Sequence, residues 1–485
     1  MKILILQLAR LGDIYQTWPT IRALKRTLGS DIQVDMLIRS RFAAATIGLS
    51  EVDQLYSLDS KGILGSVICD DPQPEASFER FSAFVESLKK NNYDRIINLS
   101  FSTFSSYLTE ALSTIDCKVN GYSRFNDGFL NIPDDVSSYF FAQVGVGLNN
   151  RIHVTDLFAQ TAEVELLPCD FGKEKSFEPK RQIAIHLGAS SEFKRLSIEK
   201  WSQLIAALQK RYSGEIFLIG SIDEANLGEQ IARSLSSSQI TNYVGMTSLQ
   251  EVMRLISESE LLIGADSAPV HIAALTDTPV FNLSFESVNF WETGPKSKDS
   301  LVFKMKAETD LTEQIFLEAV DAILYDEKPP AKVIAVDIDA GSFDMQEFSF
   351  GWEMNKAIYM GGELPYISDY VLRQAMIRLF EANELALEQL EALKLNSKNK
   401  IALTCFEQCD HIFSTIERLS PEIGPLVRWV RAEKLRIPPG EYTDVLKHFE
   451  LVHAALEKLL KTYPLENWNQ LKNGVLNDKN ILDEA

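Results

Sequence analysis

Short apolar runs alternate with amphipathic stretches along the first two-thirds of the chain. "KILILQL" (2–8) predicts a buried strand, and "IYQTWPTIRALKRTL" (14–28) spaces its apolar residues as one face of a helix does. "IQVDMLI" (32–38) predicts a second strand, and "FERFSAFVESLKK" (78–90) a helix leading into the strand "DRIINLS" (94–100). The pattern restarts near residue 181. "RQIAIHLG", "EIFLIGS", "LLIGADS" and "PVFNLS" read as strands, separated by the helical "SIEKWSQLIAALQKRY", "EANLGEQIARSL", "LQEVMRLISES" and "VHIAALT". Strands alternating with helices imply an α/β architecture whose parallel sheets are covered on both faces. Two such units, joined by the polar "PCDFGKEKSFEPK" (168–180), create a cleft between the carboxyl ends of their strands, where such sheets bind ligands.

Beyond residue 330 the alternation stops. "KVIAVDIDAGSFDMQEFSFGWEM" (332–354) reads as extended and aromatic-rich. From 367 onward the pattern is helical, in "DYVLRQAMIRLFEANELALEQLEAL", "KIALTCFEQCDHIFSTIERL" and "EYTDVLKHFELVHAALEKLLKTY". The predicted organisation is a Rossmann-like domain over 1–170, a second over 181–330 and an appended, mostly helical domain over 331–485. The Leu, Ile and Phe stripes across 367–460 read as core packing, and no repeat period marks a solenoid.

Composition narrows the function. With 48 Lys and Arg against 68 Asp and Glu, the net charge is −20. Residues 331–485 alone hold 17 basic and 24 acidic side chains, so the acidity is spread and no basic module hides in the chain. That argues against nucleic acid, because neutralising phosphates requires clustered Lys and Arg. No run of about 18 apolar residues suggests a transmembrane helix. Arg10 and Asp13 interrupt the first apolar run too early for a signal peptide. Five scattered cysteines, an odd number, fit a reducing cytoplasm. Peripheral contact with the inner face of a membrane stays open.

Three seams between strand and helix carry chemistry. In "LARLGDIYQTWP" (8–19), Asp13 enters the first helix, either as an N-cap or as a carboxylate that takes a proton from an incoming hydroxyl. In "HLGASSEFKRLSIEKW" (186–201), small residues with Ser190, Ser191 and Lys194 suit a phosphate, and a polar connector is the alternative. In "IGADSAPVHIAAL" (263–275), backbone N–H groups of Ser267 and Ala268 open a helix toward a diphosphate. Asp266 would repel phosphate, so a sugar hydroxyl is its better partner. His271, one turn on, faces either the same ligand or the core.

Together these segments, with "IHVTDLFAQTAEVEL", "VGMTSLQEVMRLISES" and "TPVFNLS", resemble the ADP-heptose:lipopolysaccharide heptosyltransferases of glycosyltransferase family 9, over roughly residues 1–325. The resemblance implies a GT-B fold of two facing Rossmann-like domains and an inverting, metal-independent transfer with no cofactor. The co-substrate would be a nucleotide sugar, ADP-heptose or a relative. It carries over Asp13 as general base; Ser190, Ser191 and Lys194 on the donor diphosphate; Thr247 at the base edge; and Glu224 on the ribose. Asp266 would hold donor-sugar hydroxyls, with Ser267, Ala268 and His271 on phosphate. Arg10, Arg39 and Arg41 are candidates for the acceptor side.

The chain departs from the family at Ala268, usually Gly, at Leu187, often Pro, and over "SFESVNFWETGP" (284–295), which replaces an "FGPTDP" type of loop. These changes sit beside the donor sugar. The acceptor reads equally as lipopolysaccharide core or as a protein. The alternatives to an enzyme of this kind are a non-catalytic GT-B scaffold acting through its helices, and an epimerase on the same architecture. "DID" (337–339) alternates with apolar residues as a strand does, and Cys405, Cys409 and His411 read as helix residues rather than as metal ligands.

Overall fold

The computed structural model describes every residue except 70–71, 173–178, 190–193, 236, 338–341, 344–348, 367 and 464–485. The first sheet is built from β1 (Lys2–Gln7), β2 (Gln33–Arg39), β3 (Gln54–Leu58), β4 (Arg95–Asn98) and β5 (Lys118–Gly121), in the order β3-β2-β1-β4-β5. All its pairings are parallel, with Leu4 opposite Asp35 on one side and Ile96 on the other. Ile3, Leu4, Ile5 and Leu6 are fully buried, as a strand covered by helices on both faces requires. A short hairpin of β6 (Ser123–Arg124) and β7 (Leu130–Asn131) follows.

The second sheet repeats the plan. It comprises β8 (Lys180–His186), β9 (Glu215–Ile219), β10 (Ile240–Asn242), β11 (Ser259–Ala265), β12 (Val280–Phe285), β13 (Leu301–Met305), β14 (Val333–Asp337) and β15 (Ser342–Phe343). Their order is β10-β9-β8-β11-β12-β13-β14-β15, parallel as far as β13. In each sheet the order reverses beside the first strand, between β1 and β4 and between β8 and β11. Those are the switch points at which such sheets bind ligands. Ile183, Ile185, Ile263, Phe281 and Leu283 share one apolar core with Trp201, Leu204 and Phe316 from the covering helices.

The chain stays with this sheet past residue 330. β14 pairs antiparallel with β13, Val302 opposite Ile334, and covers what would be an open edge. The described chain forms two compact units: residues 1–140 with 151–346, and residues 141–150 with 347–485.

The second unit contains helices Phe350–Met360, Tyr370–Leu395, Lys400–Leu419, Gly424–Leu435 and Tyr442–Leu460. Two of these differ from expectation. "FGWEM" is helical rather than extended: Ser349 caps its start by accepting from Trp352 N–H, and Phe350, Met354 and Ala357 bury one face. Gly424–Leu435 carried no predicted helix, yet Leu426, Val427 and Val430 enter the same core as Met376, Phe380 and Leu456. Cys409 is buried in a smaller cluster, Cys405 is half-buried and His411 is exposed.

One polar pair crosses this helical core. His453 Nδ1 meets Asn383 Oδ1 at 2.7 Å, and Asn383 Nδ2 donates to the His453 carbonyl at 2.9 Å; both residues are fully buried. Asn383→Leu should therefore leave His453 Nδ1 unpaired, since the His453 carbonyl keeps its helical bond, and cost about 1–3 kcal/mol. Denaturant unfolding of the full chain reads this directly. A loss below about 0.5 kcal/mol would show that the pair contributes no cross-helix restraint.

Candidate functional site

The carboxyl end of β1 runs straight into the helix Leu11–Leu28, with Arg10 as its N-cap. Asp13 is not the cap but the third helical residue, and its Oδ2 accepts from the Arg10 N–H at 2.8 Å. Burial raises the Asp13 pKa above that of a free aspartate, opposed by the Arg10 N–H and the Arg10 charge. Arg39 ends β2 and Arg41 follows it, so both lie at the same end of the sheet as Arg10. Arg41 is exposed and stacks on Phe42.

In the second sheet, β11 ends at Ala265 and the helix Ala268–Leu275 begins three residues later. Ser267 is its N-cap but does not use its hydroxyl to cap. Instead Ser267 Oγ meets His186 Nδ1 at 3.0 Å and donates to the Ala265 carbonyl at 3.0 Å, tying the ends of β8 and β11 together. Pro269 has no N–H, and Val270 N–H donates to the Ser267 carbonyl. The backbone N–H groups of Ser267 and Ala268 are thus the donors presented at this helix start.

Asp266 precedes them. Its Oδ2 accepts from Thr293 Oγ1 at 2.8 Å, whereas its buried Oδ1 has no partner among the described residues. Its pKa is pushed up to about 6, chiefly by burial. Thr293 and the Lys194 charge oppose the shift, and the Glu292 and Asp13 charges add to it. Asp13, Lys194 and Asp266 therefore share one electrostatic environment, although they come from two sheets.

The first helix touches the helix Ala268–Leu275 through a glycine. A Cβ on Gly12 would lie 2.9 Å from His271 Cδ2, so only glycine permits this approach. His271 is buried, its ring nitrogens 3.1 and 3.2 Å from Gln16 Nε2, and burial holds its pKa down to about 3. The ring is therefore a neutral hydrogen-bonding group.

Glu224 is buried beside Ser221 and Arg195. Its carboxylate accepts from the Ser221 N–H and hydroxyl and from Arg195 at 3.2 Å. A Cβ on Gly188 would lie 2.6 Å from the Glu224 carboxyl carbon, so this glycine makes room for the acid. Thr247 Oγ1 is buried with no partner among the described residues. Ser190 and Ser191 lie outside the described residues. So does Asp339 of the "DID" stretch. Among the described residues no cluster of three or more His, Cys, Asp or Glu could hold a metal, and no helix is long and apolar enough to cross a membrane.

Sequence reasoning missed several groups here. His153 caps the helix Val154–Thr161 by accepting from Thr155 N–H at 3.2 Å, and its Nε2 lies 3.1 Å from the Gly294 carbonyl. Its ring is 6.5 Å from that of His271, and burial keeps it neutral, with a pKa of about 3. Lys296 pairs with Asp156 of the same helix at 2.6 Å. Thr293, Gln16, Asn282 and Ser284 were also unmarked. Only "HVTD", a polar cap before an apolar helix, offered a usable signal.

Comparison with known proteins bears on the fold and the class of activity. Residues 81–314 match the family model described as glycosyltransferase family 9 (heptosyltransferase). This part of the chain is thus similar to glycosyltransferase family 9. The chain is 26% identical over 285 residues to lipopolysaccharide heptosyltransferase 3 of Escherichia coli strain K12, covering 56% of this chain and 79% of that protein. Lipopolysaccharide heptosyltransferase 1 of Campylobacter coli is 24% identical over 297 residues, 58% of this chain and 82% of that protein. A glycosyl transferase family 9 structure from Veillonella parvula superposes with a TM-score of 0.52 at 16% identity, over 67% of this chain and 98% of that one. An E. coli heptosyltransferase with ADP gives 0.51 at 16% identity, over 67% and 100%. The fold of the family 9 region is GT-B, with a helical C-terminal region beyond it.

The cost of the buried Asp266 charge is measurable in the unliganded protein. A carboxylate whose folded pKa lies near 6, above an ordinary 3.8, is destabilising at pH above 6 and neutral in effect below 3.8. Asp266→Asn should thus stabilise the fold at pH 7.5 by on the order of 2 kcal/mol. The gain should fade as pH falls through 6 toward 4. Thermal unfolding at both pH values tests this; an equal effect at each would show that the charge is not the cause.

Proposed function

We propose that this chain is an inverting, metal-independent glycosyltransferase that moves a sugar from ADP-heptose or a close relative to an acceptor hydroxyl. One observation supports this above the rest: Gly12, next to Asp13, packs against His271 of the helix that begins two residues after Asp266, which brings donor-side and acceptor-side candidates close together. The relatives are named for lipopolysaccharide heptosyl transfer. Arg10, Arg39 and Arg41 at the carboxyl edge of the first sheet suit a phosphorylated lipopolysaccharide core better than a neutral protein side chain. A cytoplasmic site of action follows from that donor class.

In this reading the acceptor hydroxyl attacks the anomeric carbon from the face opposite the diphosphate. The new C–O bond forms as the bond to the departing phosphate oxygen breaks, so configuration inverts. Asp13 takes the hydroxyl proton, and its raised pKa makes it a stronger base than a free aspartate. Negative charge builds on the leaving diphosphate. Lys194 and the N–H groups of Ser267 and Ala268 would stabilise it there, with Ser190 and Ser191 as the family resemblance implies. His271, neutral, contributes a hydrogen bond rather than a charge. Thr247, with its unpaired hydroxyl, meets the base, and Glu224, held by Ser221 and Arg195, meets the ribose.

Asp13→Asn should abolish transfer while leaving donor affinity within a few-fold. Because the Asp13 pKa is raised, the wild-type rate should begin to fall on acidification above the range of an ordinary aspartate. Full turnover by the variant would remove Asp13 as base.

Lys194→Ala should weaken binding of a nucleoside diphosphate by 10-fold or more and leave the nucleoside nearly unaffected, since only the former presents an anion. Calorimetry with both ligands separates the cases, and equal losses would contradict the assignment. EDTA should leave turnover unchanged. Activity lost to the chelator and restored by Mn²⁺ would point to a metal-dependent leaving group instead.

A further inference from the structure

The face of the second sheet opposite its apolar core is polar where it approaches Asp266. Phe281 and Leu283 of β12 enter the core, so Asn282 and Ser284 point to the other side. Asn282 is paired in register with Gly264 of β11, two residues before Asp266, and Ser284 follows two residues after Asn282 on the same face of β12. Asn282 and Ser284 are both fully buried. Neither the amide nitrogen nor the oxygen of Asn282 has a hydrogen-bond partner among the described residues, nor does the Ser284 hydroxyl. With Asp266 Oδ1 there are four buried polar atoms without partners among the described residues, on or just beyond the carboxyl ends of two adjacent strands.

A folded protein pairs nearly all such atoms, and a cluster of exceptions marks a place where something else completes the bonding. The donor and acceptor types identify the missing partner. Asn282 offers both a donor and an acceptor, Ser284 either, and Asp266 an acceptor. A row of hydroxyls, each donating once and accepting elsewhere, satisfies that set; a phosphate, which only accepts, does not. The segment that closes over the row is the one where this chain leaves the pattern of its family. In "SFESVNFWETGP" the short helix Phe290–Thr293 brings Thr293 onto Asp266 Oδ2 at 2.8 Å. It also buries Glu292 near enough for its charge to be felt at Asp266.

We propose that Asn282, Ser284 and Asp266, closed over by Thr293 and Glu292, form a subsite for the hydroxyls of the transferred sugar and set which sugar the chain accepts. The subsite rests on the nucleotide-sugar reading above and deepens it: the nucleotide is held by other residues, and this row reads the sugar alone. Thr293 is a positioning residue. By occupying Oδ2 it leaves Oδ1 as the oxygen of Asp266 that meets the sugar.

The test uses the full-length chain and two probes, ADP and ADP-heptose, with ADP-glucose as a competitor. Wild type should bind ADP-heptose more tightly than ADP. Ser284→Ala and Thr293→Val should each weaken ADP-heptose binding roughly tenfold, the loss expected for one buried hydrogen bond. Their ADP affinity should stay within about twofold, and their preference for ADP-heptose over ADP-glucose should narrow. Thr293→Ser, which keeps the hydroxyl, should recover most of the loss, and near-wild-type ADP binding reports that each variant is folded. Losses equal for both probes, or no loss for either, would overturn the subsite and leave the donor reading intact; an unaffected variant would mean the row merely holds water. A wild-type chain that binds neither probe would overturn the donor reading and the subsite with it.

Discussion

The contact between Gly12 and His271 is the constraint on which the cleft depends. A side chain at residue 12 would sit 2.9 Å from the His271 ring, so the ring or the helix that carries it would have to shift. Asp13 follows Gly12, and Asp266 lies two residues before the helix that carries His271. The same contact therefore limits how far Asp13 on one side stands from Asp266 on the other. His271 bonded to Gln16, His153 at the Gly294 carbonyl and Lys296 paired with Asp156 make further links across the same seam. Holding reacting groups at near-attack separation is worth several kcal/mol of barrier, and displacements of about 1 Å forfeit much of it.

That closeness carries an electrostatic cost. Two carboxylates are driven up in pKa by burial, and the three histidines around them are held neutral. Perturbations of this kind concentrate where a protein performs chemistry, because they are unfavourable in the empty state and useful only when a substrate arrives. The fold tolerates them because apolar cores pack along the faces of the same strands. Trp201, Phe281 and Phe316 on one side of the second sheet stabilise the same strands whose far ends hold Asp266 and Ser267.

Most of the two sheets was legible in the sequence because their signals are local. Apolar runs of strand length, helical spacing and caps such as Ser197 and Ser248 need no knowledge of the partner. The individual seams at Asp13, Lys194 and Asp266 could be found in the same way. What brings them together could not, since Gly12 meets His271 across some 260 positions of sequence and nothing local distinguishes that glycine from a loop glycine. Thr293 on Asp266 was hidden for a similar reason. It lies in a loop that departs from the family pattern, so neither periodicity nor resemblance reached it. The helices Phe350–Met360 and Gly424–Leu435 escaped because aromatic crowding in one and Gly-Pro at the start of the other mask a three-to-four apolar spacing.

The helical unit is more than a tail, and the reason lies far upstream. Residues 141–150, which follow the hairpin of the first sheet, belong to the helical unit rather than to the sheet unit. Arg428 Nε donates to the Ala142 carbonyl at 2.7 Å while its Nη1 pairs with Glu417 at 3.0 Å. Gln143 Nε2 donates to the Pro425 carbonyl at 3.1 Å, and Asn355 Nδ2 to the Asn149 carbonyl at 3.2 Å. These are buried or half-buried polar groups whose partners come from opposite ends of the chain, and leaving one unpaired costs about 1–3 kcal/mol. A chain cut after the second sheet would orphan several at once, inside the stretch that leads from the first sheet to the helix Val154–Thr161. Deleting the helices would thus disturb residues 141–150 as well.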